Sequence, residues 1–591
     1  MNHNPEIILG SFACQEKGIY RFEGLVTEII ATKETEVVPA LGKIEIAVQS
    51  GYYAVGFVSY EAAVALDHSL SVKLPTGFPL LWFGIFRDRC LLSPQTLPEF
   101  SRQSFYEVSA WQPSIAHDEY RSALAKIKEY IAAGDCYQVN LTLQQRSNFT
   151  GDVRSFYYDL CRAQSTPYAS FFDLDRFCIL STSPELFFRL DEGVVTVRPM
   201  KGTAGRGKTA DEDVRISLSL QSNEKERAEN LMIVDLLRND LGRISENGSV
   251  TVNSLFDVET LATIHQMTST VSSRLRADVG LVEIFRALFP CGSITGAPKK
   301  RSMEIIAELE NTPRGLYTGC IGYLAPGMRE AVFSVAIRTI VLDKDAGTGV
   351  LGVGSGITWY SEPDAEFDEC LAKGLFAQDT RPPFTLIESL LFETGSGYFL
   401  LDRHLKRLAD SARYFGFALD MCAARTKLEQ SAEAISGRAK VRLILSSEGS
   451  LSVEVEPLVC PTAAETSWIT FADVRVDSSH LFLYHKTSNR ELYRRELEKK
   501  PGCVDIIFLN ERNEVTEGAN NNIVVRKGGL LVTPPVNCGL LPGTFRAQLL
   551  ETGEITEQIL MQADLEQAEE IYLVNSVRKW RQVRLVSGEP Q

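Results

Sequence analysis

Two lysines in this chain keep company that could make nucleophiles of them. Lys201 lies in RPMKGTAGRG (Arg198–Gly207), sixteen positions beyond Glu185 of the tripeptide Ser183-Pro184-Glu185. An unprotonated amine can attack an electrophilic carbon, and a nearby carboxyl group can give or take the proton that the attack moves. If the strands carrying the two residues pair, amine and carboxyl meet. Gly202 and Gly205 flank the lysine, and Arg198 and Arg206 are close in sequence. Neighbouring positive charge and partial burial would lower the lysine's pKa. Most lysines are solvated surface charges, so this pattern alone is suggestive rather than decisive.

Lys486, in YHKTSNRELYRRE (Tyr484–Glu496), falls at the expected end of a strand. Glu517 precedes a turn and strand in VTEGANNNIVV (Val515–Val525). Gly543 and Thr544, followed by Phe545, open an expected helix, Ser576 follows a strand, and Arg407 stands in HLKRL. Free amides at a helix start can hold a phosphate. A lysine, a carboxylate and a phosphate cup are the parts a pyridoxal phosphate enzyme needs. The lysine carries the cofactor, the carboxylate keeps its ring nitrogen protonated, and the amides take its phosphate. Singly, each has a plainer explanation as a surface lysine, a turn carboxylate or a helix cap.

Carboxylates also come in pairs. Glu226 and Glu229 in KERAENLMIVDLLRNDLGRI are three apart, as are Glu366 and Glu369 in SGITWYSEPDAEFDECLAK. That spacing puts each pair on one helix face. One pair is ordinarily a solvated face. Both together suit a hard cation such as Mg2+, which keeps waters and takes a few carboxylates plus ligand oxygens. GSITGAP (Gly292–Pro298) adds a glycine-rich turn before a helix, a weak anion-binding signal by itself.

The elements that must hold these groups are mixed helices and strands. Residues 17–110 alternate apolar and polar and predict strands and turns. A helical period runs from His117 to Ala133 and stops at Gly134, and Cys136–Ser147 alternates like a strand. A charged helical stretch covers Thr209–Asp240. AQDTRPPF (Ala377–Phe384) has two prolines and little apolar content, and is the expected linker. The chain thus divides into residues 1–378, a linker 379–383 and residues 384–591, both halves α+β.

With 591 residues the chain is too long for one core. A net charge of −15 excludes a general nucleic-acid surface. Twelve cysteines without a CxxC pair fit reduced thiols in a cytoplasmic enzyme, and seven histidines without HExxH give no zinc site. No signal peptide and no apolar run of ~18 residues is present, so neither export nor a membrane span is expected.

The strings SPELF, RPMKGTAGRG, AENLMIVDLLRNDLGRI, IHQMTSTV, CGSITGAPKKRSMEII, GCIGY, FSVAIRTI and GVGSGITWYSEPDAEFDE stand in that order. With them the first half resembles the chorismate-utilising enzymes, the synthase components of anthranilate and aminodeoxychorismate formation. The resemblance implies two facing sheets around a buried site. In it Lys201 attacks the chorismate ring and expels its hydroxyl with Glu185 as acid/base, and ammonia then displaces the lysine. The lysine itself favours the aminodeoxychorismate members, because anthranilate synthases usually carry a small residue there. Glu229 and Glu369 match magnesium ligands, with Glu226 and Glu366 in support. Gly292, Ser293, Thr295, Gly296, Ala297, Gly354, Gly356, Tyr323 and Arg338 match substrate-holding positions, and His265 a site histidine.

The second half resembles the fold-type IV pyridoxal phosphate enzymes, which include branched-chain and D-amino-acid aminotransferases and aminodeoxychorismate lyases. That likeness implies a two-lobed domain with the cofactor between lobes. It makes Lys486 the cofactor lysine and Glu517 the ring partner, with Arg407, Gly543, Thr544, Phe545 and Ser576 at the phosphate. The family's frequent threonine in the first strand is Ser389 here. Together the halves imply a bifunctional route from chorismate and ammonia through 4-amino-4-deoxychorismate to 4-aminobenzoate, a folate precursor, with loss of pyruvate. No glutamine-hydrolysing signature is visible in the sequence, so the ammonia is expected from a separate amidotransferase subunit or from free ammonium. Two alternatives stand beside this: an anthranilate-type synthase fused to a transaminase, and a synthase with a non-catalytic C-terminal module.

Overall fold

Strand alternation dominates the first half, and the strands form a single hydrogen-bonded network. The structure is a computed structural model that describes residues 5–10, 18–73, 77–92, 104–164, 166–378, 383–458 and 467–586. The expected linker falls mostly on 379–382, outside the described residues. The chain divides into two compact units, Met1–Arg206 with Ile216–Arg381, and Gly207–Arg215 with Pro382–Gln591.

In the first unit nineteen described strands make one sheet, paired antiparallel at every described ladder. From the strand Ile264–Arg274 the ladder passes through Val194–Arg198, Leu186–Asp191, Glu330–Val335 and Cys320–Leu324. It continues through Tyr53–Val58, Leu81–Leu92, Ile19–Ala31, Glu6–Leu9 and Tyr168–Asp173. Phe177–Ser183, Thr339–Asp343, Thr348–Ile357 and Gln138–Gly151 follow. Phe177–Ser183 and Leu186–Asp191 are far apart along this ladder, yet only Pro184 and Glu185 separate them in sequence. That dipeptide therefore brings two distant parts of the ladder together, although the two strands do not pair with each other. Helices Glu34–Gln49, Glu224–Gly242 and Leu281–Leu288 bury apolar faces against one part of it. His117–Ala132, Val153–Gln164 and Pro363–Gly374 cover another.

Two local expectations change. Residues Glu34–Gln49 are a helix rather than strands and turns. Val37, Ala40, Leu41, Ile44 and Val48 are spaced for one helix face and are buried, while Glu34 and Glu36 favour the first turn. The stretch read as one helix over Thr209–Asp240 is two, Ala210–Ser222 and Glu224–Gly242. Asn223 breaks it by capping the second, its side chain accepting from the amides of Lys225 and Glu226. The helix to Ala132 is as expected, with Gly134 at φ +82° beyond its end.

The second unit has two lobes. One is a four-stranded antiparallel sheet, including Leu386–Glu393 and Arg438–Leu445, packed on helices Leu401–Phe415 and Met421–Glu433. The other is an eight-stranded mixed sheet in which Trp468–Val476 runs parallel to Cys503–Asn510.

Candidate functional site

The strand Gln138–Gly151 turns Gln138, Asn140 and Thr142 to one side, the period-2 face of a strand. Its partner Thr348–Ile357 sets Gly356 opposite Asn140 and Gly354 opposite Thr142. A Cβ on Gly356 would stand 2.3 Å from the Gln138 amide nitrogen, so glycine here keeps the floor open. Above it lies a cavity of about 700 Å3, a usual size for a small-molecule site. Lys201, Glu185, Ser293, Arg338, all four paired glutamates and Lys373 line it.

Lys201 Nζ donates to Asn140 Oδ1 at 3.5 Å, and Asn140 Nδ2 donates to the Ser293 carbonyl at 2.8 Å. Ser293 Oγ in turn donates to Glu185 Oε1 at 2.6 Å. A short polar chain thus connects amine to carboxyl. Burial raises the Glu185 carboxyl to about 7, against the opposing effects of Ser293, Lys201 and the Met200 amide. Burial and the charge of Lys373 lower the Lys201 amine, against Glu185, Glu229 and Glu369. The positive neighbour is therefore Lys373 and not the arginines close in sequence. Arg198 pairs with Glu259 at 2.8 Å, and Arg206 donates to the Leu261 carbonyl. Nor do the two strands pair: Leu186 stands opposite Arg198, while the lysine's strand Met200–Gly205 pairs with Ile264–Arg274. Asn230, on the helix Glu224–Gly242, fixes the lysine's backbone by donating to its carbonyl at 3.2 Å.

Arg338 sits at φ +48°, an uncommon backbone for a non-glycine residue. Burial lowers its guanidinium to about 10, and its side chain donates to the Gln164 amide oxygen. No carboxylate pairs with it among the described residues. A buried cation without a counter-charge is costly, and a carboxylate-bearing ligand in the cavity would relieve it. The four glutamates share the cavity wall but are partly engaged. Lys373 Nζ pairs with Glu369 at 2.6 Å, and Lys225 lies 3.9 Å from Glu229. Among the described residues no three acidic, histidine or cysteine side chains are gathered closely enough to hold a metal. Burial and the charges of Glu229 and Glu369 raise Glu226, the imbalance a cation would correct.

Other expected residues lie off the cavity wall. His265 is buried with Nδ1 3.0 Å from Thr260 Oγ1, while its neighbour Gln266 faces the cavity. Gly292, Thr295, Gly296 and Ala297 flank Ser293 and Ile294 in sequence but do not line the cavity. Gly296 has φ +139°, and a Cβ there would meet the Gln138 carbonyl at 2.2 Å. Tyr323 donates to Glu330 at 2.6 Å and lines a second cavity of about 260 Å3. Asn140, Gln138, Gln266 and Lys373 were not singled out from the sequence. The polar half of the alternation in CYQVNLTLQQ was the available signal for the first two.

In the second unit Lys486 does not end a strand. It follows the 3-10 turn Leu481–Leu483, and its carbonyl accepts from the Ile387 amide at 2.9 Å. Burial, with Arg490 and Arg407, lowers its amine to about 7, against Glu388 and Glu517. Burial likewise raises Glu517 to about 7. Glu517 accepts from the Tyr493 hydroxyl at 3.2 Å, the Asn522 amide at 3.1 Å and the Leu541 amide at 3.2 Å. Gly543 caps the helix Thr544–Glu551, and a Cβ on it would stand 2.0 Å from Asn522 Oδ1. The first amides of that helix have no partner within it. Ser576 Oγ donates to the Ser389 carbonyl at 3.1 Å, and Phe545 is buried against Phe399 and Trp580. Arg407 gives Nε and Nη2 to Glu388 and Nη1 to the Pro542 carbonyl, which leaves two of its five N–H donors. A neutral-leaning lysine, a buried carboxyl and spare donors at a helix start fit pyridoxal phosphate.

Residues 14–378 match the family model described as chorismate binding enzyme, and residues 385–586 match amino-transferase class IV. Aminodeoxychorismate synthase component 1 of Klebsiella aerogenes is 42% identical over 283 residues, 48% of this chain and 61% of that protein. Anthranilate synthase component 1 of Aquifex aeolicus is 39% identical over 265 residues, 44% of this chain and 53% of that protein. The matched stretch thus spans less than two thirds of these relatives' own length. The solved anthranilate synthase component I from Streptococcus pneumoniae TIGR4 is 25% identical with a TM-score of 0.51, covering 64% of this chain and 93% of that one. No helix among the described residues is long and apolar enough to cross a membrane.

Proposed function

This chain belongs to the chorismate binding enzymes, and we propose that its first half converts chorismate and ammonia to 4-amino-4-deoxychorismate while its second half releases 4-aminobenzoate and pyruvate. The observation that carries the first step is the cavity itself. A depressed lysine amine and a carboxyl titrating near neutrality share it with a guanidinium that has no carboxylate partner among the described residues. Arg338 receives a substrate carboxylate. The Lys201 amine attacks the ring as the hydroxyl leaves, and Glu185 in its protonated form supplies the proton that makes water of it. Ammonia then displaces Lys201, so atoms balance as chorismate plus ammonia to aminodeoxychorismate plus water. Glu229 and Glu369, backed by Glu226 and Glu366, would hold Mg2+, which would neutralise substrate carboxylate charge.

In the second half Lys486 would hold pyridoxal phosphate, with Glu517 at the ring nitrogen and Arg407, Gly543, Thr544, Phe545 and Ser576 at the phosphate. Bound there, the cofactor withdraws electrons from the substrate's amino-bearing carbon. Lys486, displaced by the substrate amine, moves the proton that accompanies pyruvate loss and aromatisation. The domain boundary is proposed at 379–383. The chain acts in the cytoplasm and draws ammonia from a separate glutamine amidotransferase. Lysine at position 201 speaks against the anthranilate alternative.

The test incubates the chain with chorismate, Mg2+, ammonium and pyridoxal phosphate, each omitted in turn, and identifies the aromatic amine by fluorescence and chromatography. The expected product is 4-aminobenzoate, with aminodeoxychorismate accumulating when the cofactor is left out. Formation of 2-aminobenzoate would overturn the proposal.

A further inference from the structure

Two members of a buried polar chain in the second unit, Glu388 and His404, have no place in the chemistry above. Glu388, on the strand Leu386–Glu393, is 1% exposed, as is His404 on the helix Leu401–Phe415. Glu388 Oε2 accepts from His404 Nδ1 at 2.6 Å and from Arg407 Nη2 at 2.6 Å, and Oε1 accepts from Arg407 Nε at 2.8 Å. On the other side of the ring, His404 Nε2 lies 3.2 Å from Thr544 Oγ1, at the first residue of the helix Thr544–Glu551. Glu388 and Thr544 contact this histidine, and the charges of Arg407, on its own helix, and of Lys486 also act on it.

The donors along this line are fixed by chemistry. An ionised Glu388 can only accept, so Nδ1 must carry a proton. The Arg407 charge and guanidinium hydrogen bonds, with His404, hold the Glu388 carboxyl at about 2 despite burial, so it is ionised. With the imidazole neutral, Nε2 is bare and takes its hydrogen bond from the Thr544 hydroxyl. That hydroxyl then has no proton left to give an anion. With the imidazole protonated, Nε2 donates to the Thr544 oxygen, and the hydroxyl proton is free to turn to a phosphate oxygen. Burial lowers the His404 pKa, so the chain starts in the first state.

We propose that Glu388, His404 and Thr544 form a proton-coupled relay in which capture of the cofactor's phosphate draws one proton from the solvent onto His404 and releases the Thr544 hydroxyl, its own proton retained, as a phosphate donor. His404 is a positioning residue: it acts on the phosphate through Thr544. This rests on the assignment of Thr544 and Arg407 to the cofactor's phosphate. It goes beyond it by coupling cofactor affinity to proton uptake at a residue that does not touch the cofactor.

The test uses the full chain and pyridoxamine 5′-phosphate, which carries the phosphate but forms no bond with Lys486. Binding heats at pH 7 in buffers of different ionisation enthalpy give the protons taken up per site. The wild type is expected to take up more than His404→Gln, the difference approaching about one proton, because contributions from the ligand's own ionisations cancel between the two. Thr544→Val should lose the same uptake, and Thr544→Ser, which keeps a hydroxyl, should restore it. If His404→Gln does not fold, the Thr544 pair carries the comparison alone. Equal uptake in the wild type and Thr544→Val, with binding intact, overturns the relay and leaves the cofactor assignment standing. Absence of wild-type binding overturns both.

Discussion

The two lysine amines are lowered by different means. Lys201 lies in a wide cavity whose wall carries five carboxylates, three of which oppose the lowering of its pKa, while Lys373 assists it. Lys486 is held among arginines, with burial and two guanidinium charges outweighing two carboxylates. The first site is electrostatically unfinished within the protein: Arg338 has no carboxylate partner among the described residues, and Glu226 is raised by burial and by Glu229 and Glu369. The second has its charges largely settled within the protein, as the Glu388–Arg407 pair illustrates. A nucleophilic amine can therefore be prepared by an unfinished electrostatic site or by a finished one.

The comparison breaks most sharply if Lys201 is dispensable. Lys201→Ala should lower formation of aminodeoxychorismate by about 10³-fold or more, measured by coupled fluorescence, while leaving Lys486 open to borohydride trapping with pyridoxal phosphate. Unchanged turnover would remove the nucleophile. Lys486→Ala should abolish 4-aminobenzoate by a similar ~10³-fold but let aminodeoxychorismate accumulate, which chromatography would detect. Trapping of the cofactor on any other lysine would cancel that assignment.

Smaller effects sharpen the contrast. Glu185→Gln should reduce the first reaction by about 10²-fold and remove the fall in rate as pH rises through about 7, where the wild-type acid loses its proton. Arg338→Met should raise KM for chorismate about 10-fold yet stabilise the unliganded first unit by about 1 kcal/mol, because an unpaired buried charge is lost. Calorimetric melting beside kinetics checks both signs. Uptake of pyridoxal phosphate by Lys486 should slow about tenfold for each pH unit below 7, since only the neutral amine reacts, and level off above it. Stopped-flow absorbance measures this. A profile with its bend near pH 10 would mean an unperturbed lysine.

Much of this was legible from the residues. The helix ending before Gly134 and the strand from Gln138 follow from local period and a stop signal, and the first half's motif strings stand in order. The helix Glu34–Gln49 escaped because β-branched residues inside it resembled strand alternation, although Val37, Ala40, Leu41 and Ile44 carry the helical spacing. Asn140 escaped because the polar side of an alternating strand ordinarily faces water, and here it faces a cavity.

By itself the sequence determined which groups are present, their order and the elements that hold them, because propensity, period and capping act over a few residues. The fold alone decided which of them meet. Ser293 reaches Glu185 across 108 positions, and Thr544 reaches His404 across 140. Such contacts depend on where distant parts of the ladder are brought together and how lobes pack, and so do the burial and unpaired charge that set each proton's affinity.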